Sequence, residues 1–372
     1  MDLFIYDRDI NLLGVIDKID SLMWTRRFWS CGEFKMLLPF TDYNVTLLRE
    51  RRLIRKKGDN QLGEIKYIGM KKNSQGTEEI EVQGKFITAW IGQRVIKNQV
   101  VAEQPAGNVI GRILDENVIS PSDSARVISG ISLDLAGDLP TSAISYMSEP
   151  FVNVLTACED IAKASKIGFY LSTDIKSKSH TFKVYSGRDL TSKNLAGNPP
   201  CIFSQEFNNI TEQEYTASVE NLKTMAYVGG EEINNTPRKI VEVGSELSGL
   251  DRIEHFADAK EITQKYKNAA GAEVTMSAAQ YNNVLLQRGA EEIEARQKNQ
   301  AFSSKINPCG SLRYKRDFDV GDRVTCINKR WGIKIDVRVT EATEIYEPKG
   351  NRVEITFGEN LPTLIDKIRQ VI

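Results

Sequence analysis

The stretch LIRKKGDNQLGEIKYIGMKKNSQGTEEIEVQG, residues 53–84, alternates apolar and polar residues between turn signals. Residues 53–57 form a short run that begins with Leu53 and Ile54, a glycine-bounded turn follows at 58–63, and a longer run leads to a polar turn at 73–76. After that turn, Ile80 and Val82 return between glutamates. A period of two between turns is typical of half-buried antiparallel strands. The stretch therefore predicts a three-stranded antiparallel meander.

The same order of elements recurs near the carboxyl end of the chain. Residues 324–328 predict a strand, 329–332 a turn, and a longer strand then leads to a turn and a last strand. The last strand runs from Gly76 to Gly84 in one copy and from Gly350 to Gly358 in the other. The apolar phase differs by one residue between the copies, so a structural duplication and two unrelated meanders both stay open.

The rest of the chain adds a hairpin, helices and further strands. Apolar residues alternate on both sides of a turn at 30–32, which predicts a hairpin over 22–38. Ser277 and Gln280 have the spacing of a capping box and predict a long helix that runs to about residue 300. Other predicted elements are helices at 106–118 and 151–166, strands at 168–173, 180–185 and within 214–243, and a short closing helix from Pro362.

Composition limits the function classes. With 49 basic and 50 acidic residues, the 372-residue chain has a net charge of −1 and no general attraction to nucleic acid or an anionic membrane. Hydrophobic residues make up 41%, enough for folded cores, and the length predicts two or three domains. The five cysteines, at 31, 158, 201, 309 and 326, are few and far apart, which predicts reduced, mostly buried thiols.

Catalytic and metal patterns are weak. Most hydrolytic triads and zinc sites need histidine, and the chain has two, His180 and His255, which we interpret as surface or structural residues. No Gly-x-Ser-x-Gly elbow is present. A glycosidase needs only two carboxylates and stays open, although Glu291–Glu294 fits the solvated face of a helix better. The sequence predicts no catalytic, cofactor-binding or metal-binding residue.

Two loops have the spacing of ligand sites without the ligands. Gly58–Gly63 has P-loop glycine spacing, but Glu64 stands where phosphate binding needs lysine. Asp317–Asp322 has spaced carboxylates, but Asn328 stands where a calcium loop needs glutamate. We interpret both as turns. A basic cluster lacks the aromatic platforms of a single-strand binder and favours a solvated edge or protein interface; its members are Arg49, Arg51, Arg52, Arg55, Lys56 and Lys57.

The ends of the chain carry no targeting pattern. Residues 1–9 lack a basic segment followed by an apolar stretch, so no signal peptide is predicted. No apolar run reaches the roughly 20 residues that cross a bilayer. We therefore expect synthesis in a cytoplasm and no membrane-spanning segment.

Nine phrases in order resemble one family, the siphovirus-type tail-associated proteins that form the tail tip or baseplate hub of phages, prophages and phage-tail-like particles. The resemblance covers essentially the whole chain. The phrases are Phe4–Asp7 with Leu13–Gly14, Trp24–Phe28 through Gly32–Phe34 to Leu38–Pro39, Val82–Phe86, Tyr185–Thr191, Phe203–Ser204 with Phe207–Asn209, Ala226–Gly230, Ser248–Arg252, Asp317–Asp322 and Ile355–Gly358.

The resemblance implies a β-rich α+β fold similar to the baseplate hubs of contractile phages, with two small antiparallel β-barrel hub domains and α/β insertions between them. We expect a first barrel at 1–98, completed by about 203–232, and an α/β insertion at 99–202. A strand and long-helix segment at 233–308 then leads to a second barrel at 309–372 with a short C-terminal helix.

The resemblance also implies a structural role without enzyme activity or cofactors. Such proteins form a homotrimeric ring that closes the sixfold tail tube, connects it to a central spike or fibre, and lines the ejection channel. The implied partners are the tail tube and distal tail proteins above, a spike, fibre or tail lysin below, the tape measure protein in the lumen, and DNA only as transiting cargo. The implied location is the virion tail tip or a phage-tail-like particle, after synthesis in the host bacterial cytoplasm.

Two other functions stay open. A tail-associated peptidoglycan hydrolase would fit the same particle, although the chain ends soon after Gly358 and leaves no room for a lysin domain. A distal tail receptor-binding protein would also be β-rich, but it would expose a groove with clustered aromatic residues. The four tryptophans, at 24, 29, 90 and 331, are dispersed.

Overall fold

The computed structural model describes residues 1–358 except for 73–75, 136–137, 234–235, 269 and 308–309. Most of the turn expected at 73–76 lies outside the described residues. The same holds for Cys309 and for the helix expected from Pro362.

Seven strands and one short helix form residues 3–86. Side chains from all seven strands enclose a first apolar cluster, which includes Trp24, Phe34 and Phe86. The expected hairpin over 22–38 is confirmed. The elements are β1 (Leu3–Tyr6), β2 (Leu12–Ile16), β3 (Ser21–Arg27), β4 (Glu33–Pro39), α1 (Asp42–Leu47), β5 (Leu53–Lys56), β6 (Leu62–Lys72) and β7 (Glu78–Phe86).

An α/β region follows, and its side chains pack in a second apolar cluster together with Tyr6, Leu53 and Leu62. The expected strands and helices of this region are confirmed, except that the first regular helix ends at Leu114 and continues as a π-helical turn to Ile119. The Asn153 side chain caps α3 by accepting from the Leu155 amide. The elements are a 3₁₀ helix (Ile87–Gln93), β8 (Val101–Pro105), α2 (Ala106–Leu114), β9 (Ile131–Asp134), β10 (Ala143–Met147), α3 (Val154–Ala164), β11 (Gly168–Asp174) and β12 (Ser179–Tyr185).

Two strands then connect to a second α/β region, in which α4 packs on a three-stranded sheet. The expected capping box is confirmed, because Ser277 and Gln280 exchange backbone-to-side-chain hydrogen bonds of 3.1 and 3.2 Å. The elements are β13 (Ile202–Phe203), β14 (Ile210–Ser218), β15 (Met225–Gly229), β16 (Ile240–Gly244), β17 (Glu254–Asp258), β18 (Lys265–Lys267), β19 (Glu273–Thr275) and α4 (Ala278–Glu294).

Helix α4 ends at Glu294, so the prediction that it runs to about residue 300 is wrong. Residues from 299 onward extend instead as β20, which pairs with a strand on each side. At Gly289 a Cβ would lie 2.6 Å from Val243 Cγ2, so this glycine lets the helix approach the sheet closely.

Four strands near the carboxyl end enclose a third large apolar cluster with β13 and β14. Its largest fully buried members are Phe28, Phe203, Phe302, Phe318 and Phe357. The strands are β20 (Asn299–Ile306), β21 (Arg323–Asn328), β22 (Ile333–Glu347) and β23 (Gly350–Gly358). The second meander predicted from the sequence, β21-β22-β23, is confirmed as a strand order.

Within a 13-stranded sheet, eight strands follow one another as antiparallel neighbours in the order β14-β20-β23-β22-β3-β4-β7-β6, and pairing continues through β5 and β1 to β2. We call these eight strands the eight-stranded sheet. Within it, the unit β14-β20-β23-β22 repeats the strand order of β3-β4-β7-β6. The two units meet inside the chain where Glu341–Tyr346 of β22 pair with Leu22–Arg27 of β3. We call this contact the internal junction.

The apolar phase of the two meanders agrees when they are aligned on a bulge that both contain. The β6–β7 register shifts between Ile65 and Tyr67, and the β22–β23 register shifts between Val339 and Glu341. When the two copies are aligned on this bulge, Ile80 and Val82 match Val353 and Ile355. The copies are out of phase only when they are aligned on their glycines.

Matching aromatic pairs extend the repeat to the other two strands of each unit. Trp24 of β3 opposes Phe34 of β4, and Tyr215 of β14 opposes Phe302 of β20. Their ring centroids lie 5.8 and 6.5 Å apart, respectively. The predicted β-rich α+β class is confirmed, and the two halves of the large sheet are built on the same plan.

Candidate functional site: a polar sheet face with two open edges

One face of the eight-stranded sheet points away from the apolar clusters and carries polar residues across both units. Directly opposed residues of an antiparallel sheet share a face, so the register traces this row strand by strand. It runs through Glu212, Lys305, Glu354, Thr343, Thr25, Glu33 and Lys85. We call this surface the polar face.

Charges on the polar face are paired across strands. Lys305 Nζ lies 2.7 Å from Glu212 Oε2, and Arg27 binds both Glu33 and Glu341 at 2.7 Å. At the centre, the Thr25 and Thr343 hydroxyls lie 3.0 Å apart. These pairs bring opposite charges together, so this part of the face carries no strong net field.

Two segments of the eight-stranded sheet have no backbone partner on one side within the described residues. In the part of the chain that the structure describes, the backbone of Tyr67–Lys72 in β6 pairs only with β7, because the backbone hydrogen bonds on the β5 side stop at Ile65. At the other end, residues 212–217 of β14 pair only with β20. Tyr67 and Met70 are about half exposed, at 47% and 51%. We call these two segments the open edges.

Behind the internal junction lies a buried charge cluster. Lys56 Nζ binds Glu344 Oε2 at 2.6 Å, and Lys315 Nζ binds both Glu344 Oε1 at 2.7 Å and Asp59 Oδ2 at 2.9 Å. The indole of Trp24 also donates to Asp59 at 3.1 Å. The cluster joins the β5–β6 turn of one unit to β22 of the other, so it holds the two units together.

The cluster keeps its carboxylates ionised. Burial would raise the pKa of Asp59, but Lys315, Arg26 and Lys56 hold that pKa below its ordinary value. Burial would also raise the pKa of Glu344, but Lys315 and Lys56 hold that pKa below its ordinary value. Burial and the neighbouring Lys315 lower the pKa of Lys56.

Arg26 extends the cluster toward the residue 314–319 turn. Its guanidinium donates to Tyr314 Oη at 3.0 Å and to Asp319 Oδ1 at 2.8 Å. Burial would lower the pKa of Arg26, but Tyr314, Asp319 and Asp59 hold that pKa above its ordinary value. The stretch that was compared with a calcium loop therefore serves as a structural turn of the junction.

The basic cluster predicted from the sequence does not form one exposed patch. Lys56 is buried against Glu344, and Arg52 donates to the carbonyls of Thr46 and Leu47 at the end of α1. Lys57 pairs with Asp2 at 2.7 Å. These intramolecular partners disperse the cluster.

The other candidate residues from the sequence also have structural partners. His180 is buried, its Nδ1 lies 2.9 Å from Thr173 Oγ1, and burial lowers its pKa. His255 Nε2 lies 3.4 Å from Glu292, and burial followed by Arg296 lowers its pKa. Of the P-loop-like residues, Asp59 is buried in the charge cluster and Glu64 accepts from the Trp90 indole at 2.9 Å.

Among the described residues, no group of three or more His, Cys, Asp or Glu side chains could hold a metal ion. The four described cysteines are buried, and burial raises the pKa of Cys201 to about 11 and that of Cys31 to about 12. Within the described part of the chain, no helix is long and apolar enough to span a membrane.

Sequence reasoning missed the functional surfaces for identifiable reasons. The polar face follows from strand register, and its residues belong to strands far apart in sequence, such as Thr25 and Thr343. The partners of Lys56 and Lys315 are equally distant. One signal was present in the sequence, because the two meanders repeat the same strand order. This repeat indicates equivalent strands, whose edges can be compared.

Solved structures share this fold. The 43 kDa tail protein of prophage MuSo2 from Shewanella oneidensis matches with a TM-score of 0.58 and 12% identity, covering 96% of this chain and 98% of that one. The tail protein from Neisseria meningitidis MC58 matches with a TM-score of 0.56 and 12% identity, covering 96% of each chain. Prophage tail protein gp18 from Listeria monocytogenes EGD-e matches with a TM-score of 0.55 and 13% identity, covering 100% and 98%.

The fold is therefore that of phage tail proteins, as the sequence resemblance implied. The chain belongs to the family of the Siphovirus ReqiPepy6 Gp37-like protein, whose model matches residues 2–359. A search of curated protein sequences finds no match.

Proposed function

We propose that the chain is a structural hub of a phage tail tip, three copies of which form a ring that closes a sixfold tail tube. The repeated four-strand unit carries this proposal. Three chains with two such units each present six similar units, which can dock under a sixfold tube while keeping a threefold lower surface for a central spike or fibre. Repeated contacts in such a ring strengthen one another, because later contacts are intramolecular.

Each unit is proposed to belong to a small barrel. The bent segment 202–218 pairs through β13 with β21 and through β14 with β20, which favours a barrel around the third apolar cluster. We assign residues 203–218 to this second barrel, with the strands from 299 to 358, rather than to completion of the first at 1–98. Residues 99–202 and 225–294 are the proposed insertion domains.

The polar face is proposed to line the ejection channel. Its paired charges favour a hydrated wall with little net attraction, so DNA or a tape measure protein could pass without binding tightly. The proposed partners are the tail tube and distal tail proteins above, and a spike, fibre or tail lysin below. The role is structural, without a catalytic step or cofactor, and its place is the tail tip of a virion or phage-tail-like particle.

The mass of the purified assembly and its projection under the electron microscope test this function. We expect a mass of three chains and a threefold ring with six lobes around a channel. A chain that stays monomeric at every concentration, even when mixed with tail tube protein, would overturn the proposal.

A negative control tests the structural role against the hydrolase alternative. Wild-type protein should leave purified peptidoglycan intact. Robust clearing that is lost when a single carboxylate is neutralised would instead assign a tail-associated hydrolase.

A further inference from the structure

We propose that the two open edges pair with each other between copies of the chain, so that β6 of one copy continues into β14 of the next and the polar face closes into a ring. This inference rests on the trimeric hub proposed above and specifies its subunit interface. The occupant of each edge is therefore a second copy of this chain.

The internal junction supplies the template. Aligned on the bulge, residues 67–72 of β6 are equivalent to 341–346 of β22. Through the aromatic pairs, residues 213–218 of β14 are equivalent to 22–27 of β3. Since β22 pairs with β3 inside the chain, the equivalent strands β6 and β14 are expected to pair in the same way between chains.

The template also gives the register. Ile345 opposes Met23 at the internal junction, and the equivalent residues are Lys71 and Glu214. The repeat, which was established without reference to charge, thus places a lysine directly opposite a glutamate. It also places Met70, which is exposed, opposite Tyr215.

Charges on the two edges are complementary more widely. The β6 edge carries Lys66, Lys71 and Lys72, and the β14 edge carries Glu212 and Glu214. Lys71 and Lys72 lie at the end of β6 that faces the acidic start of β14 in an antiparallel pair. Like charges oppose pairing of β6 with β6 or β14 with β14, so the edges favour a head-to-tail contact.

Strand direction permits the closure. All seven pairings from β14 to β6 are antiparallel, so with eight strands the two edge strands run in opposite directions. In a ring with rotational symmetry, β6 of one copy then meets β14 of the next as an antiparallel neighbour. A head-to-tail contact of this kind closes a ring when the rotation allows it.

Disulfide trapping tests the interface and its register. A Lys71→Cys/Glu214→Cys chain, assembled and then oxidised, should run as a covalent trimer on a denaturing gel without reductant. An equimolar mixture of the Lys71→Cys and Glu214→Cys chains should give covalent dimers. Each single variant and the wild type should remain monomeric on the gel.

A displaced pair controls for register and mobility. Lys71→Cys/Thr216→Cys moves one thiol two residues along β14 and should link at least tenfold less, because strand neighbours two residues off register lie too far apart for a disulfide. Equal linking of the two pairs would overturn the register. A ring that keeps its three-chain mass but does not link at 71 and 214 would overturn this interface and leave the hub proposal standing, whereas a monomeric wild type would overturn both.

Charge reversal gives an independent test. Lys71→Glu/Lys72→Glu and Glu212→Lys/Glu214→Lys should each lose the trimer at a concentration where the wild type is assembled. A mixed ring of the two variants would contain one reversed, one native and one repulsive junction, so mixing should restore the trimer only in part. Combining all four changes in one chain makes every junction a reversed pair and should restore the trimer. Failure of the four-fold variant to recover, with folding intact by circular dichroism, would count against the pairing.

Discussion

The internal junction and the open edges occupy equivalent places in the two four-strand units, but they are built from different residues. Behind the internal junction, Glu344 of β22 binds two buried lysines and Trp24 of β3 donates to Asp59. The equivalent residues at the open edges are Met70 and Tyr215. The internal junction is thus stabilised by buried ion pairs, whereas the open edges present exposed apolar and charged side chains.

The difference fits two kinds of contact. Buried charges must stay paired, because removal of one partner leaves the other desolvated without compensation, so the internal junction is expected to be permanent. Exposed opposite charges attract weakly and are screened by salt, which suits an interface that forms only during assembly. The same strand geometry can therefore serve folding at one junction and association at the other.

The largest effect is expected from removing a buried partner. Glu344→Ala leaves Lys56 and Lys315 without their shared carboxylate and should lower the free energy of unfolding by about 3–5 kcal/mol. Urea denaturation measures the change. The matched control is Glu341→Ala on the same strand, whose carboxylate is more exposed and should cost about 1 kcal/mol or less. Equal losses for the two variants would contradict a special role for the buried cluster.

Acid should weaken the internal junction through the same carboxylates. The folded-state pKa values of Asp59 and Glu344 lie below their ordinary values of 3.8 and 4.5. Their stabilisation is therefore present above the ordinary values and is lost as the pH falls through the folded-state values. Unfolding measured from pH 7 to pH 3 should show a decline beginning near pH 4.5 that is shallower in Glu344→Gln. An unchanged slope in that variant would rule out Glu344 as a contributor.

A smaller effect is expected at the centre of the polar face. Thr25→Val leaves the buried Thr343 hydroxyl without its partner and should cost about 1–3 kcal/mol. The double variant Thr25→Val/Thr343→Val removes both groups and should recover part of that loss. A double-mutant cycle measures the coupling. Simple additivity of the two single losses would mean that the hydroxyls do not interact.

The smallest effect on folding is expected at the open edges. Lys71→Glu/Lys72→Glu should change the free energy of unfolding of the monomer by about 0.5 kcal/mol or less, since both side chains are exposed. The wild-type ring should dissociate more readily as salt rises from 0.05 to about 0.5 M, because screening weakens the paired edges. A ring whose mass is insensitive to salt would indicate an interface held by apolar contacts instead.

Sequence alone predicted the strands well where alternation was strong. The hairpin over 22–38 and both meanders were found because their apolar residues repeat every second position between clear turns. The end of α4 was missed because residues near 295–300 continue a polar helical pattern. Residues from 299 onward form the strand β20 because they pair with β14 and β23. Tertiary pairing thus overrode the local pattern.

The polar face and the charge cluster could not be predicted in the same way. The closing glycine lies one residue further from the bulge in the second copy of the meander, so aligning the glycines hid the equivalence of Val82 and Ile355. Lys56 looked like one member of an exposed basic cluster, because its partner Glu344 lies far along the chain. Strand register and long-range contacts determine the polar face and the charge cluster. The class of protein was inferred from the family resemblance and not from local patterns.

Amide hydrogen exchange at the open edges tests the pairing most directly, since it reports backbone hydrogen bonds themselves. In dilute monomer, amides of residues 67–72 and 213–217 that do not bond to β7 or β20 should exchange rapidly. In the assembled ring they should slow by at least tenfold, to rates like those of the internal junction at 341–346. Assembled rings in which these edge amides exchange as fast as in the monomer would contradict the account.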